Sequence, residues 1–173
     1  YTFTGDTPDG TFDVAGSVAS GDFGFKVDKD GLDYSRVSRE MTVSVAGSVI
    51  PFPTLTFKMA ETGGRFAMPV VPSEDDQDFA LLIDMKGLEI DQMLWGMFDP
   101  AGQIPRDPAN LVIDLEGVAK LTEDVFAPEF AEQMTGAPGE LKSLDVNRIL
   151  LNLAGAELTG DGALTFNTMG GIP

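Results

Sequence analysis

The stretch LEIDQMLWGMFDPAGQIPRDPANLVIDLE, residues 88–116, decides how the chain is organised. From Ile90 onward the apolar residues recur about every 3.6 positions, which predicts a short helix that carries the only Trp of the chain. We expect this helix to end at Asp99, because the proline that follows disfavours helical backbone at the preceding residue. Beyond the prolines of residues 105–108, the alternation of apolar and polar residues from Leu111 predicts a strand.

On both sides of that stretch the pattern is typical of β-hairpins. Asp-Gly pairs tolerate the positive φ angles of type I′ turns, so each pair between alternating segments predicts a hairpin. These pairs are Asp9-Gly10, Asp30-Gly31 and Asp161-Gly162. Gly63-Gly64 predicts a further turn, whereas Pro51 and Pro53 predict a break between strands. A step out of phase near Asn147 predicts a bulge.

A second short helix is predicted after residue 121. Thr122 is a suitable N-cap residue, Pro128 suits an early helical position, and Gly136 is a suitable stop. The whole pattern predicts a mostly β (α+β) fold, an antiparallel meander of about eight to ten strands. We expect a curved or sandwich-like sheet with two short helices over one face.

The length of 173 residues fits one domain, residues 1–173. The first ten residues lack the basic and apolar layout of a secretion signal. We therefore expect this domain to be a fragment of a longer protein, with the remainder of its own chain outside this sequence. No apolar run approaches the ~20 residues that a transmembrane helix needs, so no transmembrane segment is expected.

The composition excludes several classes of function. The 28 acidic and 11 basic residues give a net charge of -17, which repels phosphates, so no nucleic acid partner is expected. The chain has no Cys and no His, which excludes disulfide frameworks, thiolate nucleophiles, histidine triads and the common zinc ligand sets. We assign no catalytic residue and no cofactor. An acid pair for glycoside hydrolysis has no recognisable spacing in so acidic a chain.

The apolar residues of the two predicted helices allow two interpretations. The commoner one is ordinary core, with both helices packed on one face of the sheet. The other is an adaptable apolar groove for an acyl chain or a partner segment, because Met and aromatic side chains suit such grooves. The candidate ligand-binding residues are Met93, Leu94, Trp95, Met97, Phe98, Phe126, Phe130 and Met134.

An acidic loop is the only candidate for a metal site. Carboxylate oxygens are the ligands that calcium prefers, and four acids lie close together in this loop. They are Glu74, Asp75, Asp76 and Asp78. Their spacing is not that of an EF-hand, and a run of exposed acids is usually a solvated loop, which is the interpretation we favour.

Two runs of sequence resemble the DUF2125 family of alphaproteobacterial proteins, which has no assigned function. The first run combines Trp95, the Phe98-Asp99-Pro100 tripeptide, residues 104–111 and residues 114–117. The second covers residues 144–147 and 151–162, and it is also similar, more loosely, to the C-terminal hairpins of AsmA-like envelope proteins. The resemblance implies a periplasmic or envelope-associated protein, and the AsmA likeness implies lipid handling by a sheet with an apolar face. It supplies no catalytic residues.

These observations lead to one leading hypothesis and two alternatives. The leading one is a non-enzymatic envelope domain that binds an apolar ligand such as a lipid chain, with a lipid or an envelope protein as partner. The first alternative is a structural or protein-interaction module that uses exposed sheet edges. The second is a hydrolase that relies on carboxylates.

Overall fold

The structure is a computed structural model that describes residues 1–128 and 138–166. Eight strands form one antiparallel sheet in which every strand pairs with its neighbours in sequence, so the strand order is β1 to β8. The strands are β1 Thr2–Thr7, β2 Gly10–Asp28, β3 Gly31–Gly47, β4 Leu55–Met68, β5 Gln77–Leu88, β6 Ala109–Leu121, β7 Gly139–Leu153 and β8 Ala156–Thr165. The helix α1, Gln92–Phe98, connects β5 to β6.

The predicted antiparallel meander is confirmed, with eight strands in the described residues. The sheet is open, and β1 and β8 form its two edges. It is also a single layer, because strands pack against their neighbours in the sheet and not against a second sheet, so the sandwich-like alternative is wrong. No helix in the described ranges has the length and apolar character to span a bilayer.

The prediction of two helices over one face is wrong within the described residues. The helix α1 buries none of its residues, because seven residues at the end of the sheet are too few to cover its strands. Residues 122–128 form turns in which the N–H of Val125 donates to the carbonyl of Val70 at 3.1 Å. The rest of the second predicted helix, residues 129–136, lies outside the described residues.

Two of the predicted turns are present and two are not. Hairpins are confirmed at Asp9-Gly10 and Asp30-Gly31, but their two-residue turns are Pro8-Asp9 and Lys29-Asp30, and each Gly is the first residue of the next strand. Asp161-Gly162 lies inside β8, because the flanking Leu158 and Leu164 keep one alternation and the strand continues. Gly63-Gly64 lies inside β4, where the backbone stays paired with β3 and β5 across both glycines. The last hairpin turns instead at Ala154-Gly155, where both φ angles are positive, 54° and 77°.

Three bulges interrupt the ladders of the described strands, one of them at Lys142, where Val118 pairs with Ser143 and Ala119 with Leu141. The predicted bulge at Asn147 is confirmed, since Asp114 pairs with Arg148 and Leu115 with Val146, which leaves one residue without a partner. A second bulge, which was not predicted, lies at Gly87 with a φ of 67°. Bulges re-aim a strand, and this one directs the end of β5 toward α1.

Register assigns each paired residue to one of two faces, because paired residues share a face and neighbours alternate. We call the front face the one that carries the apolar positions of β5 to β8. These positions are Phe79, Leu81, Ile83, Met85, Leu111, Ile113, Leu115, Leu144, Val146, Ile149, Leu151, Leu158 and Leu164. The opposite side is the back face.

The back face of β2 to β5 carries a chain of ion pairs across four strands. Arg39 lies 2.7 Å from Asp22 and 3.5 Å from Glu61, and Lys86 lies 2.8 Å from Glu61 and 3.1 Å from Asp84. Exposed pairs of this kind contribute only ~0–1 kcal/mol each. Their value here is that they identify the solvated face, which leaves the front face of the same strands for apolar contacts.

The apolar side of the sheet changes near the middle of β2 to β4. At the α1 end of the sheet, the back face of β1 to β4 is apolar, and at the other end the front face is. The apolar back-face positions are Phe3, Phe12, Val14, Val18, Met41, Val43, Val45, Leu55, Phe57 and Met59. Glu40 lies at the changeover with a φ of 52°, in the left-handed region.

The described residues have very little core. The buried apolar side chains are Leu55, Val70, Ala109 and Leu121, and no large side chain is completely buried. The chain exposes 11319 Å², whereas a compact monomer of this length exposes ~8,200 Å². The sixteen residues outside the described ranges, even at the area of an unfolded chain, would account for only ~2,400 Å² of the exposed area. The excess follows from the single-layer architecture.

Candidate functional site

The front face is a broad apolar surface that no second layer covers in the described residues: most side chains of its central strands are half-buried, and those of its outer strands are exposed. Along β2, the side chains of Phe23 and Phe25 are 69% and 61% exposed, and in β8 those of Leu158 and Leu164 are 59% and 51% exposed. Between these strands, Ile83 at the centre of the sheet is still 40% exposed. An apolar surface of this extent that is only half-buried at its centre and exposed at its outer strands is unusual for a monomer and marks an interaction surface.

The dimensions of this surface follow from strand geometry. Seven strands, β2 to β8, contribute to it, which gives a width of about 29 Å at a strand spacing of ~4.8 Å. In β5 the apolar positions from Phe79 to Met85 extend it by about 20 Å along the strand. From Thr62 in β4 to Leu164 in β8, no paired front-face position of the described strands carries a charge. The surface therefore suits a long apolar ligand.

Two front-face positions of the edge strand β8 have no side chain. Gly160 and Gly162 occupy front-face positions there, between Leu158 and Leu164, and pair with the β7 strand. A Cβ added at Gly162 would meet nothing within 4 Å, and one at Gly160 would only touch Ile149 at 4.0 Å. The two glycines thus leave a notch between two leucines at the rim of the apolar surface.

A cavity of about 580 Å³ lies at the α1 end of the front face. Its apolar floor contains Leu88, Ala109 and Leu153, which continue the front-face rows of β5, β6 and β7. Its walls come from β4 and from the connection between β5 and β6. The volume is in the range of small-molecule sites, ~300–1,000 Å³. The cavity and the apolar surface are therefore continuous.

Two strong contacts hold the connection against β4. The backbone groups of Lys58 and Glu89 exchange hydrogen bonds of 3.2 and 2.8 Å. The carboxylate of Asp91 accepts one hydrogen bond from the N–H of Met93, as the N-cap of α1, and a second from the N–H of Thr56. Both oxygens of Asp91 are occupied in this way, so this carboxylate has a structural role.

The far end of α1 is fixed by Asp99, which is 5% exposed. Its two carboxylate oxygens accept hydrogen bonds of 2.9 Å from the N–H groups of Gln103 and Ile104. These backbone donors hold the pKa of Asp99 below its ordinary value, and the charge of Arg106 acts in the same direction. Arg106 donates to the side-chain oxygen of Gln92 and to the carbonyl of Asp99, so it ties the returning chain to both ends of α1.

The structure separates the predicted ligand-binding residues into groups. Of the five on α1, Trp95 lines the cavity, Leu94 is half-buried, and Met93, Met97 and Phe98 are exposed. Phe126 is exposed at the opposite end of β6, so it does not meet the α1 residues. Phe130 and Met134 lie outside the described residues. A ligand-binding role for these side chains stays a prediction.

Sequence reasoning missed the residues that form the surface itself. The sequence predicts two helices over one face of the sheet, whereas the structure leaves the alternating apolar residues of the front face half-buried or exposed. The sequence does contain a signal that no single face of the sheet is covered. In β2 the apolar residues stand at even positions in the first half, Phe12, Val14 and Val18, and at odd positions in the second half, Phe23 and Phe25. One covered face would keep one parity along a strand.

The acidic loop shows no metal site in the described part of the chain. No group of three or more Asp or Glu side chains converges there as a metal site would require. Instead, the loop is held by its backbone: the N–H of Asp75 donates to the hydroxyl of Ser73, and Lys120 donates to the carbonyl of Glu74.

No family model matches the chain, and neither the curated proteins nor the solved structures include one that is similar to it.

Proposed function

We propose that this is a non-enzymatic domain of the bacterial envelope whose front face binds the acyl chain of a lipid. One observation carries the proposal: the front face of β2 to β8 is apolar apart from Arg36 in β3, its side chains are half-buried or exposed, and the ion pairs lie on the back face. A surface of this kind is stabilised by a ligand without polar groups, because burial contributes about 25 cal/mol per Å² of apolar area. The envelope location rests on the resemblance to the DUF2125 family.

The experiment compares one substitution on each face. Ile83 on the front face and Val18 on the back face are 40% and 41% exposed, so replacing either by Asp disturbs the fold to a similar extent. The purified domain is titrated with 1-oleoylglycerol, an uncharged single-chain lipid, and bound lipid is counted by native mass spectrometry.

We expect wild type and Val18→Asp to bind the lipid with similar affinity, and Ile83→Asp to bind at least about tenfold more weakly, since a charge at the contact costs more than ~1.4 kcal/mol. Absence of binding by the wild type, or equal binding by Ile83→Asp, would refute the proposal. Lipid extraction from the protein as purified from native envelopes is the complementary measurement.

A second candidate function is an interaction module, and it is favoured by β8. This edge strand has ten residues, contains no proline and is exposed along nearly its whole length. One row of its backbone N–H and C=O groups has no strand beside it in the described residues, which is the arrangement that strand addition uses. Crosslinking in native envelopes from a residue of β8, such as Thr159, tests this function. A strictly monomeric species without crosslinked partners would argue against it.

A further inference from the structure

The cavity at the α1 end of the front face contains charges of both signs that do not pair with one another. Lys58 and Arg106 line it, together with Glu89 and Asp107. None of these four side chains forms an ion pair in the described part of the chain. In a chain with 28 acidic residues, two cations that lack a carboxylate partner in one cavity call for an explanation.

Arg106 is fixed without being neutralised by a direct ion pair. It donates to two uncharged acceptors, the side-chain oxygen of Gln92 and the backbone carbonyl of Asp99. The nearby Asp99 carboxylate is occupied by the N–H groups of Gln103 and Ile104. A guanidinium has five N–H donors, so several remain for a ligand, in a planar arrangement that suits phosphate.

The charge balance of the cavity decides between kinds of head group. The two cations are accompanied by three carboxylates, of Glu89, Asp91 and Asp107, so a head group that is only anionic meets more negative than positive charge. A head group that carries one phosphate and one ammonium satisfies both signs. The side chain of Trp95 in the same wall adds a ring that attracts ammonium groups.

The position of the cavity determines where the rest of such a ligand lies. Its floor residues Leu88, Ala109 and Leu153 continue directly into the front-face positions Leu111 and Leu151. When the head group lies in the cavity, the acyl chain can therefore extend over these apolar residues onto the front face without passing a polar side chain.

We propose that this cavity binds the zwitterionic head group of a phospholipid. The phosphate lies between Lys58 and Arg106, and the ammonium group lies at Glu89 and Asp107. The inference rests on the proposed function, because the chain of the same lipid occupies the front face.

The test uses three ligands with the same oleoyl chain below their micelle concentrations. Lysophosphatidylethanolamine has the phosphate and the ammonium, lysophosphatidylglycerol has only the phosphate, and 1-oleoylglycerol has neither. Fluorescence of Trp95, the only Trp, reports binding in the cavity, and native mass spectrometry reports total binding. We expect lysophosphatidylethanolamine to bind at least about tenfold more tightly than either of the others, as charge-assisted hydrogen bonds require.

Variants separate the two halves of the head group. Lys58→Gln should lower the affinity for both phospholipids and leave 1-oleoylglycerol unchanged, whereas Glu89→Gln should lower the affinity for lysophosphatidylethanolamine alone. Arg148→Gln is the matched control. Arg148 also lacks an ion pair in the described residues, but it lies on the back face, where its backbone is the strand partner of Asp114.

The outcomes distinguish this inference from the proposed function. If all three ligands bind equally and Lys58→Gln changes nothing, the head-group site is wrong and the acyl-chain surface stands. If only the phospholipids bind and Ile83→Asp binds them like the wild type, the acyl-chain surface is wrong and the head-group site stands. If none of the three ligands binds, both are wrong.

Discussion

The carboxylate of Asp91 accepts a hydrogen bond of 3.0 Å from the backbone N–H of Thr56, 35 residues earlier in the chain. The same carboxylate caps α1 through the N–H of Met93. One side chain thus joins the start of the helix to β4, and it forms part of the cavity wall.

Replacing Asp91 by Ala should release α1 from the sheet. Loss of an N-cap costs about 1 kcal/mol, and the unsatisfied N–H of Thr56 adds to that. We expect faster amide exchange in residues 89–98 and a red shift of the Trp95 emission, while exchange in β2 and β3 stays unchanged. Asp107→Ala, in the same wall, makes no such contact and serves as the control. Equal exchange in both variants would show that the bond from Thr56 is not structural.

Two glycines of the front face should differ sharply in their tolerance of Ala. In β6, a Cβ on Gly117 would lie 2.4 Å from the carbonyl oxygen of Ser143 and 2.6 Å from the ring of Phe79. We expect Gly117→Ala to destabilise the domain by about 1–3 kcal/mol, as overpacking does. Gly162→Ala meets nothing within 4 Å, so its effect should stay within about 1 kcal/mol and be neutral or stabilising. Urea denaturation of the two variants measures the difference, and similar midpoints would contradict the register of β6.

The turn between β7 and β8 should be improved by a single substitution. Ala154 adopts a φ of 54°, a conformation that costs residues other than Gly and Asn about 1–2 kcal/mol. Ala154→Asn creates the Asn-Gly pair that type I′ turns favour, and we expect a gain of about 1 kcal/mol in the free energy of unfolding. Gly155→Ala is the opposite control, because its Cβ would lie 2.9 Å from Pro105 at a φ of 77°. A loss of stability in Ala154→Asn would be inconsistent with this turn.

The stability that Asp99 contributes should disappear in acid. Its pKa is held below the ordinary value of ~3.9 by the N–H groups of Ile104 and Gln103, so the folded state favours the ionised form. A carboxyl of this kind stabilises the fold above its unfolded pKa, and the contribution is lost as the pH falls through the folded pKa. We expect Asp99→Asn to be less stable than the wild type at pH 6, with the difference shrinking below pH ~4. Denaturation series at several pH values check this, and a difference that does not change with pH would disprove it.

The strands could be predicted because the alternation that marks them extends over only a few neighbouring residues. Which face of the sheet is buried could not be predicted, because burial depends on what packs against the whole sheet. Alternation from Leu111 located β6, and the proline after Asp99 located the end of α1, since both signals act within a few residues. The turn at Ala154-Gly155 carries no Asp or Asn, so turn composition favoured Asp161-Gly162 in its place. Whether an alternating strand is covered depends on a second layer, and sequence alone suggested a layer that is not present in the described residues.

The candidate site was predictable only in part. The aromatic character of α1 identified Trp95, which does line the cavity. Lys58 and Glu89 are 31 residues apart in the sequence, and a lone backbone bridge just beyond the end of β5 brings them together. This bridge continues the register of β4 and β5, so it depends on a long-range strand pairing that no local sequence signal reveals.

The sequential order of the strands has a further consequence for how this domain gains and loses structure. Because each strand contacts its immediate neighbours in sequence, the sheet is close to a one-dimensional array of hairpins, like a repeat protein. Five of the seven connections have eight residues or fewer, so formation can begin at any of these hairpins and spread to either side. Loss of structure should start at β1 and β8 and progress inward, and the central pair β4 and β5 should be the last to exchange its amide protons.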